Sequence, residues 1–392
     1  MTWALRRLDE LGFVSRGRSR HRPRDAAHLY DGPYPFVQTG DVKHSGLYIT
    51  AHSQTYSSAG LEQSKLWPAG TLCITIAANI ADTAILAFDA CFPDSIIGFL
   101  ANDRKADARF VKYLFDATVQ QLAQQFSQGA TQDNLSQEKL LSIPLLMPEV
   151  GEQRRLADVL ATYDDLIDNN RRRIKLLEDS VRLLFDEWFV RARLPTHLGA
   201  GHGDQPRHLS LDAICEDVKV PVLPETLDPD TPYVGLEHMP RRSITLNDWG
   251  AVTDVSSTKL CYKEGEVVFG KIRPYFHKVG VALTDGVCSS DAIVMRPKAP
   301  QWKSLLVALV SSDAFIASTA QGMKEGSKMP RADWKQMKAY EITVPSQRVL
   351  EAFNAVVEPI LEQCKTLALQ SRKLRTARDL LLPRLMSGEL TV

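Results

Sequence analysis

The sequence predicts an α+β fold: two similar globular α/β domains, each followed by one long helix, with the two helices packed on each other. Three observations predict it. The chain repeats itself at an offset of 197 residues, where Pro148 answers Pro345, Gly129 answers Gly326, Asp94 answers Asp291 and Cys91 answers Cys288. Each copy alternates short β-type runs with turns. Each copy then ends in a stretch of heptad-spaced apolar residues. A period this long is not that of a solenoid; it describes a duplicated two-part unit with two similar surfaces.

The first copy opens with β-type runs. Tyr34-Pro35-Phe36-Val37 leads into Thr39-Gly40-Asp41, a strand meeting a turn. Trp67-Pro68-Ala69-Gly70 turns into a strand from Thr71 to Ile76, and the apolar run Thr71 to Phe88, broken by Asn79 and Asp82, reads as two strands and a turn. Residues 107–126 predict a helix with Phe110, Leu114, Phe115, Val119 and Leu122 on one face. From Glu152 the period changes. Leu156, Leu160, Tyr163, Ile167, Asn170, Ile174, Leu177, Val181, Leu184 and Trp188 step by four and three without a miss, a coiled-coil seam about 58 Å long at 1.5 Å per residue. Pro195 ends it, and Gly199 to Gly203 reads as a linker.

The second copy repeats the order. Tyr233-Val234-Gly235-Leu236 and Tyr262 to Ile272 are its strands and turns, and Trp302 to Ala320 its first helix. A second seam follows at Phe353, Ile360, Leu367, Leu374 and Leu381, with a flank weakened by Cys364, Ser371 and Arg378. The chain thus divides into a first domain at 1–150, a long helix at 151–194, a linker at 195–207, a second domain at 208–345 and a second long helix at 346–392. A whole domain lies between the helices, so the path allows either direction; antiparallel pairing makes a pseudo-twofold molecule, in which Asn170 fixes register.

Composition is that of a globular protein, and its length fits two or three domains. No cysteine pair is spaced as CxxC, so neither a zinc site nor a disulfide framework is expected. No apolar signal segment and no membrane span are evident. The formal net charge is zero, which argues against nonspecific coating of nucleic acid. Residues 1–30 nevertheless hold seven arginines against three acids, and 271–278 contains Lys271, Arg273, His277 and Lys278 with no acid. Basic loops on a neutral body fit phosphate contact at selected places, and equally fit ordinary solvated loops.

Catalytic signatures fail on inspection. Gly265 to Lys271 matches GxxxxGK, but Ile272 stands where the magnesium-binding hydroxyl belongs and Val267 to Phe269 reads as a strand. Asp31-Gly32-Pro33-Tyr34 reads as a simple turn. Asp94, Asp103 and Lys105 have the letters of a nuclease site, yet no Asp-x-Lys follows at Asp291, so Asp94 reads as structural. Binding chemistry remains. Arg16-Gly17-Arg18-Ser19-Arg20 is a basic loop in which glycine admits a ligand closely and arginine forks grip phosphate or guanine. Thr131, Gln132 and Asn134 sit in an amide-rich loop suited to adenine. Its counterpart carries Lys324, Ser327, Lys328 and Arg331, so the two domains would read different bases.

Together these residues give the chain its resemblance. Arg16-Gly17-Arg18, the run Tyr34 to Val42, Gly70-Thr71-Leu72, Gln128-Gly129-Ala130-Thr131, Pro148 with Glu152 to Ala157, and Leu381 to Leu390 occur in order in a duplicated chain. The whole length resembles the specificity subunit of a type I restriction-modification system. The resemblance implies two target-recognition domains on antiparallel helices, each domain reading half of a split, asymmetric DNA site. It implies a spacer set by the helices. The partners implied are double-stranded DNA, DNA methyltransferase subunits in two copies, and endonuclease/translocase subunits. S-adenosylmethionine, ATP and Mg²⁺ are expected on those partners and no cofactor on this chain, which would be non-catalytic, prokaryotic and cytoplasmic. The DNA-binding residues expected are Arg16, Arg18, Arg20, Thr131, Gln132 and Asn134 in the first domain, and Lys271, Arg273, Lys324, Ser327, Lys328 and Arg331 in the second. The alternatives are a stand-alone nuclease or methyltransferase, and a scaffold that never meets DNA.

Overall fold

The computed structural model describes residues 3–77, 80–119, 136–198, 205–321 and 329–390. The predicted loop residues Thr131, Gln132, Asn134, Lys324, Ser327 and Lys328 and the Gly199 to Gly203 linker lie outside the described residues. By internal packing the chain forms two compact units, Met1–Asp168 with Lys373–Val392, and Asn169–Arg372. The division passes through both long helices, so each unit contains a β-rich domain together with a stretch of each helix.

In the first unit a five-stranded sheet has the order Gly12–Arg16, Ile96–Ala101, Leu72–Thr75, Thr83–Leu86, Tyr48–Ile49. Its central strand Leu72–Thr75 is buried at every residue, which is why the sequence there is an unbroken apolar run. A second sheet has the order Gln54–Tyr56, Tyr30–Phe36, Ala90–Cys91, Leu66–Trp67, with Tyr30–Phe36 parallel to Ala90–Cys91. Ala4–Arg6 pairs with Leu145–Met147 and ties the start of the domain to its exit.

The second unit repeats this plan. Cys215–Val218, Ala292–Pro297, Val267–Gly270 and Val279–Val281 form one sheet in that order. In the other, Pro232–Val234 runs parallel to Gly286–Cys288, as Tyr30–Phe36 does to Ala90–Cys91. Arg207–Ser210 pairs with Glu341–Val344. Gly70 and Gly265, 195 residues apart, both take left-handed φ, +85° and +82°, at the turn entering the central strand. A side chain there would be strained, so glycine recurs.

The first long helix is Val150–Phe185, extended by a π turn at Asp186–Val190; the second is Gln347–Met386. In the second unit Asn170 meets Gln370 and Phe189 meets Phe353, so one number rises as the other falls and the helices are antiparallel. In the first unit Asp164 pairs with Arg378, and Leu156 and Leu160 share a core with Leu385 and Met386, again antiparallel. The predicted seam is the buried side. Leu156, Leu160, Ile174 and Val181 are fully covered and Tyr163, Ile167, Leu177 and Leu184 partly so, as are Phe353 and Leu367 fully and Ile360, Leu374 and Leu381 partly. Asn170 is buried and donates to Gln370 at 3.3 Å.

Of the predicted helix 107–126, Ala108–Leu114, capped by the Asp107 carboxylate, and a π turn at Phe115–Val119 are helical, and residues 120–126 lie outside the described residues. Two local expectations are corrected. Trp302 to Ala320 is not one helix but two, Lys303–Val310 and Asp313–Gln321, bent by 68°. The Ser312 hydroxyl accepts the Phe315 N–H at 3.2 Å and starts a new helix, the competition with backbone bonding expected of serine. Asp31 to Tyr34 is not a free turn but a bulge inside Tyr30–Phe36, with Asp31 at φ 60°. All six cysteines are free thiols, five buried and Cys261 half-buried. Among the described residues no single helix is long and apolar enough to cross a membrane.

Candidate nucleic-acid interface

In the first unit the strand Gly12–Arg16 delivers the basic loop. Arg16 and Arg20 are exposed, and neither side chain has a partner among the described residues. Arg18 is different: its Nε and Nη2 donate to the Ser64 carbonyl oxygen at 2.9 and 2.7 Å, and the Ser64 hydroxyl donates back to the Arg18 carbonyl oxygen at 2.7 Å. Its guanidinium therefore braces the loop against residue 64. Gly17 serves that same internal packing and not a ligand, because a Cβ there would come within 2.3 Å of the Phe92 carbonyl oxygen. Arg22 donates to the carbonyl oxygens of Ser19 and His21 at 2.8 Å, and Arg24 pairs with Asp94 at 3.0 Å. Asp94 is thus the structural group expected of it. Beside the loop the Lys65 ammonium lies 3.7 Å from the centre of the Trp67 ring and 4.4 Å from that of Phe13. Burial, then the Arg18 charge, lowers the Lys65 pKa.

The second unit assembles its site from three segments. Lys271 and Arg273 lie on the turn that follows Val267–Gly270, and Ile272 faces Arg331 across an isolated bridge. The Ala332 N–H donates to the Lys271 carbonyl oxygen and the Arg273 N–H to that of Pro330, both at 2.8 Å. Three predicted residues, Lys271, Arg273 and Arg331, are so brought together. Lys271 donates to the Ser290 carbonyl oxygen at 3.0 Å, and Arg331 pairs with Asp291 at 3.0 Å. Asp94 and Asp291, repeat mates, thus each bind an arginine from a basic segment.

Sequence reasoning missed Arg241, Tyr275 and Phe276. The Arg241 guanidinium stacks on the Phe276 ring at 4.1 Å, and Tyr275 is 52% exposed beside it. The signal was legible: two adjacent aromatics inside an acid-free basic segment. What joins Arg241 to them is tertiary. Glu178 on the first long helix, itself buried, accepts at one oxygen from the hydroxyls of Ser243 (2.8 Å) and Thr245 (2.6 Å) and the N–H groups of Ile244 (3.1 Å) and Thr245 (2.9 Å). Arg182, one turn on, donates to the Arg242 carbonyl oxygen. The residues after Arg241 are thereby fixed to the helix.

The supposed nuclease letters do not act together. Asp94 is held by Arg24, Lys105 donates to the Glu10 carbonyl oxygen at 3.0 Å, and the Asp103 carbonyl oxygen accepts from Arg154. Within Gly265 to Lys271, Val267–Gly270 is a strand, as predicted for Val267 to Phe269.

Comparison with known proteins agrees with this architecture. Residues 1–179 match the family model of the type I restriction modification DNA specificity domain. The chain is 21% identical to the type I restriction enzyme MjaIX specificity subunit of Methanocaldococcus jannaschii, over 100% of this chain and 94% of that protein. It is 22% identical to the HindI specificity subunit of Haemophilus influenzae, over 67% of this chain and 72% of that one. The crystal structure of the type I restriction-modification S subunit from M. genitalium shares the fold, with a TM-score of 0.62 at 14% identity over 98% of this chain and 96% of that one. With its duplicated sheets, antiparallel long helices and a DNA specificity domain matched over residues 1–179, this chain is similar along its whole length to the specificity subunits of type I restriction-modification systems.

Proposed function

We propose that this subunit reads a bipartite, asymmetric DNA site, one half through residues 1–150 and the other through residues 208–345, while the paired helices set the unread spacer and dock methyltransferase subunits. The carrying observation is that the chain segments bearing Lys271, Arg273 and Arg331 are joined by backbone pairing in the second unit. Cations so placed fix phosphate register, and a few neighbouring side chains then read base edges. Arg16 and Arg20 play the phosphate role in the first domain, with Arg18 as the brace of their loop. In this reading the chain is non-catalytic. S-adenosylmethionine, ATP and Mg²⁺ act on the methyltransferase and endonuclease/translocase partners, in the prokaryotic cytoplasm. Supporting it, the Asp94 carboxylate and the Lys105 ammonium are engaged in separate local contacts.

The test is a domain exchange in the complex with methyltransferase. Replacing residues 1–150 by the equivalent domain of another specificity subunit should change one half of the methylated site and leave the other half and the spacer unchanged. A change in both halves overturns the modular reading. Methylation or cleavage by the isolated chain, supplied with S-adenosylmethionine or Mg²⁺, overturns the non-catalytic one.

A further inference from the structure

The turn from Lys271 to Lys278 in the second unit is fastened on every side. The Lys271 N–H donates to the Asp291 carbonyl oxygen, the Phe276 N–H to that of Arg273, and the His277 N–H to that of Pro274, each at 2.8 Å. The His277 ring is buried, with Nε2 2.7 Å from the Ser311 carbonyl oxygen. Arg273 and His277 both adopt left-handed φ, 48° and 55°, around the tight turn Pro274–Phe276. Two non-glycine residues in that region are costly, and surrounding contacts must hold them there. The result is one exposed aromatic, Tyr275, at the tip, with the Phe276 ring behind it at 5.0 Å and Arg241 stacked on Phe276.

Charge around the tip favours a polyanion. The nearby acids are committed to other cations: Asp291 to Arg331 and Asp313 to Arg242, while Glu237 acts on Lys278. Arg241 has no acidic partner among the described residues. The support of Arg241 is rigid, because Glu178 and Arg182 hold residues 242–245 to the long helix. A rigid aromatic point beside the Arg241 guanidinium suits a groove of duplex DNA, where cations hold phosphates and the tyrosine ring and its hydroxyl meet base edges or a base step.

We propose that Tyr275 is a base-contacting, specificity-determining residue of the second domain, with Arg241 holding a phosphate beside it. This rests on the function proposed above. The corresponding turn of the first domain, Ile76-Ala-Ala-Asn-Ile-Ala-Asp82, carries neither an aromatic nor a cation. The effect of Tyr275 therefore belongs to one half-site.

The experiment is methylation of a randomised library of bipartite sites by the full chain with its methyltransferase subunits. Tyr275→Ala should relax preference by about tenfold at one or two positions, all in the half read by residues 208–345. Arg241→Ala should weaken all sites about equally and lower the salt dependence by about one ion. If Tyr275→Ala abolishes binding, Tyr275→Leu decides: an altered base preference supports the proposal and an unaltered one overturns it. An unchanged profile for Tyr275→Ala, or a change in the other half-site, also overturns it, while the wild type still reading a bipartite site leaves the proposed function standing. A wild-type complex with no sequence preference defeats the proposed function itself.

Discussion

In the first unit the helix seam holds a buried polar node, and in the second the same repeat position is apolar. Asp164 accepts from the Tyr113 hydroxyl at 2.6 Å and pairs with Arg378. At 197 residues' remove, Tyr113, Asp164 and Arg378 correspond to Val310, Leu361 and Val181; Val310 and Val181 lie in one apolar core and the half-buried Leu361 packs against it. Burial lowers and the Asp164 and Asp379 carboxylates more strongly raise the Arg378 pKa, so its guanidinium stays charged; burial, then Asp164, raises the Tyr113 phenol. One fold tolerates both solutions, so the seam does not need charge for stability. A buried ion pair roughly breaks even against well-packed apolar groups, because desolvation offsets its attraction. What the polar node adds is selectivity: a helix slipped out of register would strand the Asp164 carboxylate without its partner.

That contrast can be broken or sharpened by mutation. The largest effect is expected from Asp164→Ala, which takes from the Tyr113 hydroxyl and the Arg378 guanidinium the buried carboxylate they share and leaves Arg378 only Asp379, and should cost about 1–3 kcal/mol, measured by denaturant unfolding. The triple change Tyr113→Val, Asp164→Leu and Arg378→Val, which copies the second unit, should cost far less than that single change. A triple variant as unstable as Asp164→Ala would refute the equivalence. A smaller effect concerns Glu178, the polar anchor of the second unit. Its carboxyl is raised above 4.5 by burial, with Thr245 and Ser243 pulling partly back. A raised folded pKa means that the folded state binds the extra proton. Ionised Glu178 therefore costs stability at neutral pH, and the cost fades as pH falls through the folded pKa toward 4.5. Unfolding curves from pH 7 downward should show the wild type gaining on Glu178→Gln; a constant difference would contradict the burial argument.

Much of this architecture was legible. The heptads at Leu156, Leu160, Ile174 and Val181 marked the buried side of the first helix because periodicity is a local record of burial. Gly70 and Gly265 marked equivalent turns because only glycine adopts their backbone cheaply. The helix break at Ser311 and Ser312 was missed, since an apolar run hides a serine that caps. The site was less legible. Arg18 looked like its neighbours Arg16 and Arg20, and only folding brought it to Ser64. Arg378 read as a flaw in the second seam, and is instead the partner of Asp164, 214 residues earlier.

By itself the sequence determined the duplication, the order of sheets and long helices, and which helix side would be buried, because each leaves a periodic or repeated trace along the chain. Only the tertiary structure decided which charges are spent inside the protein and which stand free to meet a ligand. Ion pairing and stacking depend on distances between residues far apart in sequence. Only folding brought Arg241 onto Phe276, beside the exposed Tyr275.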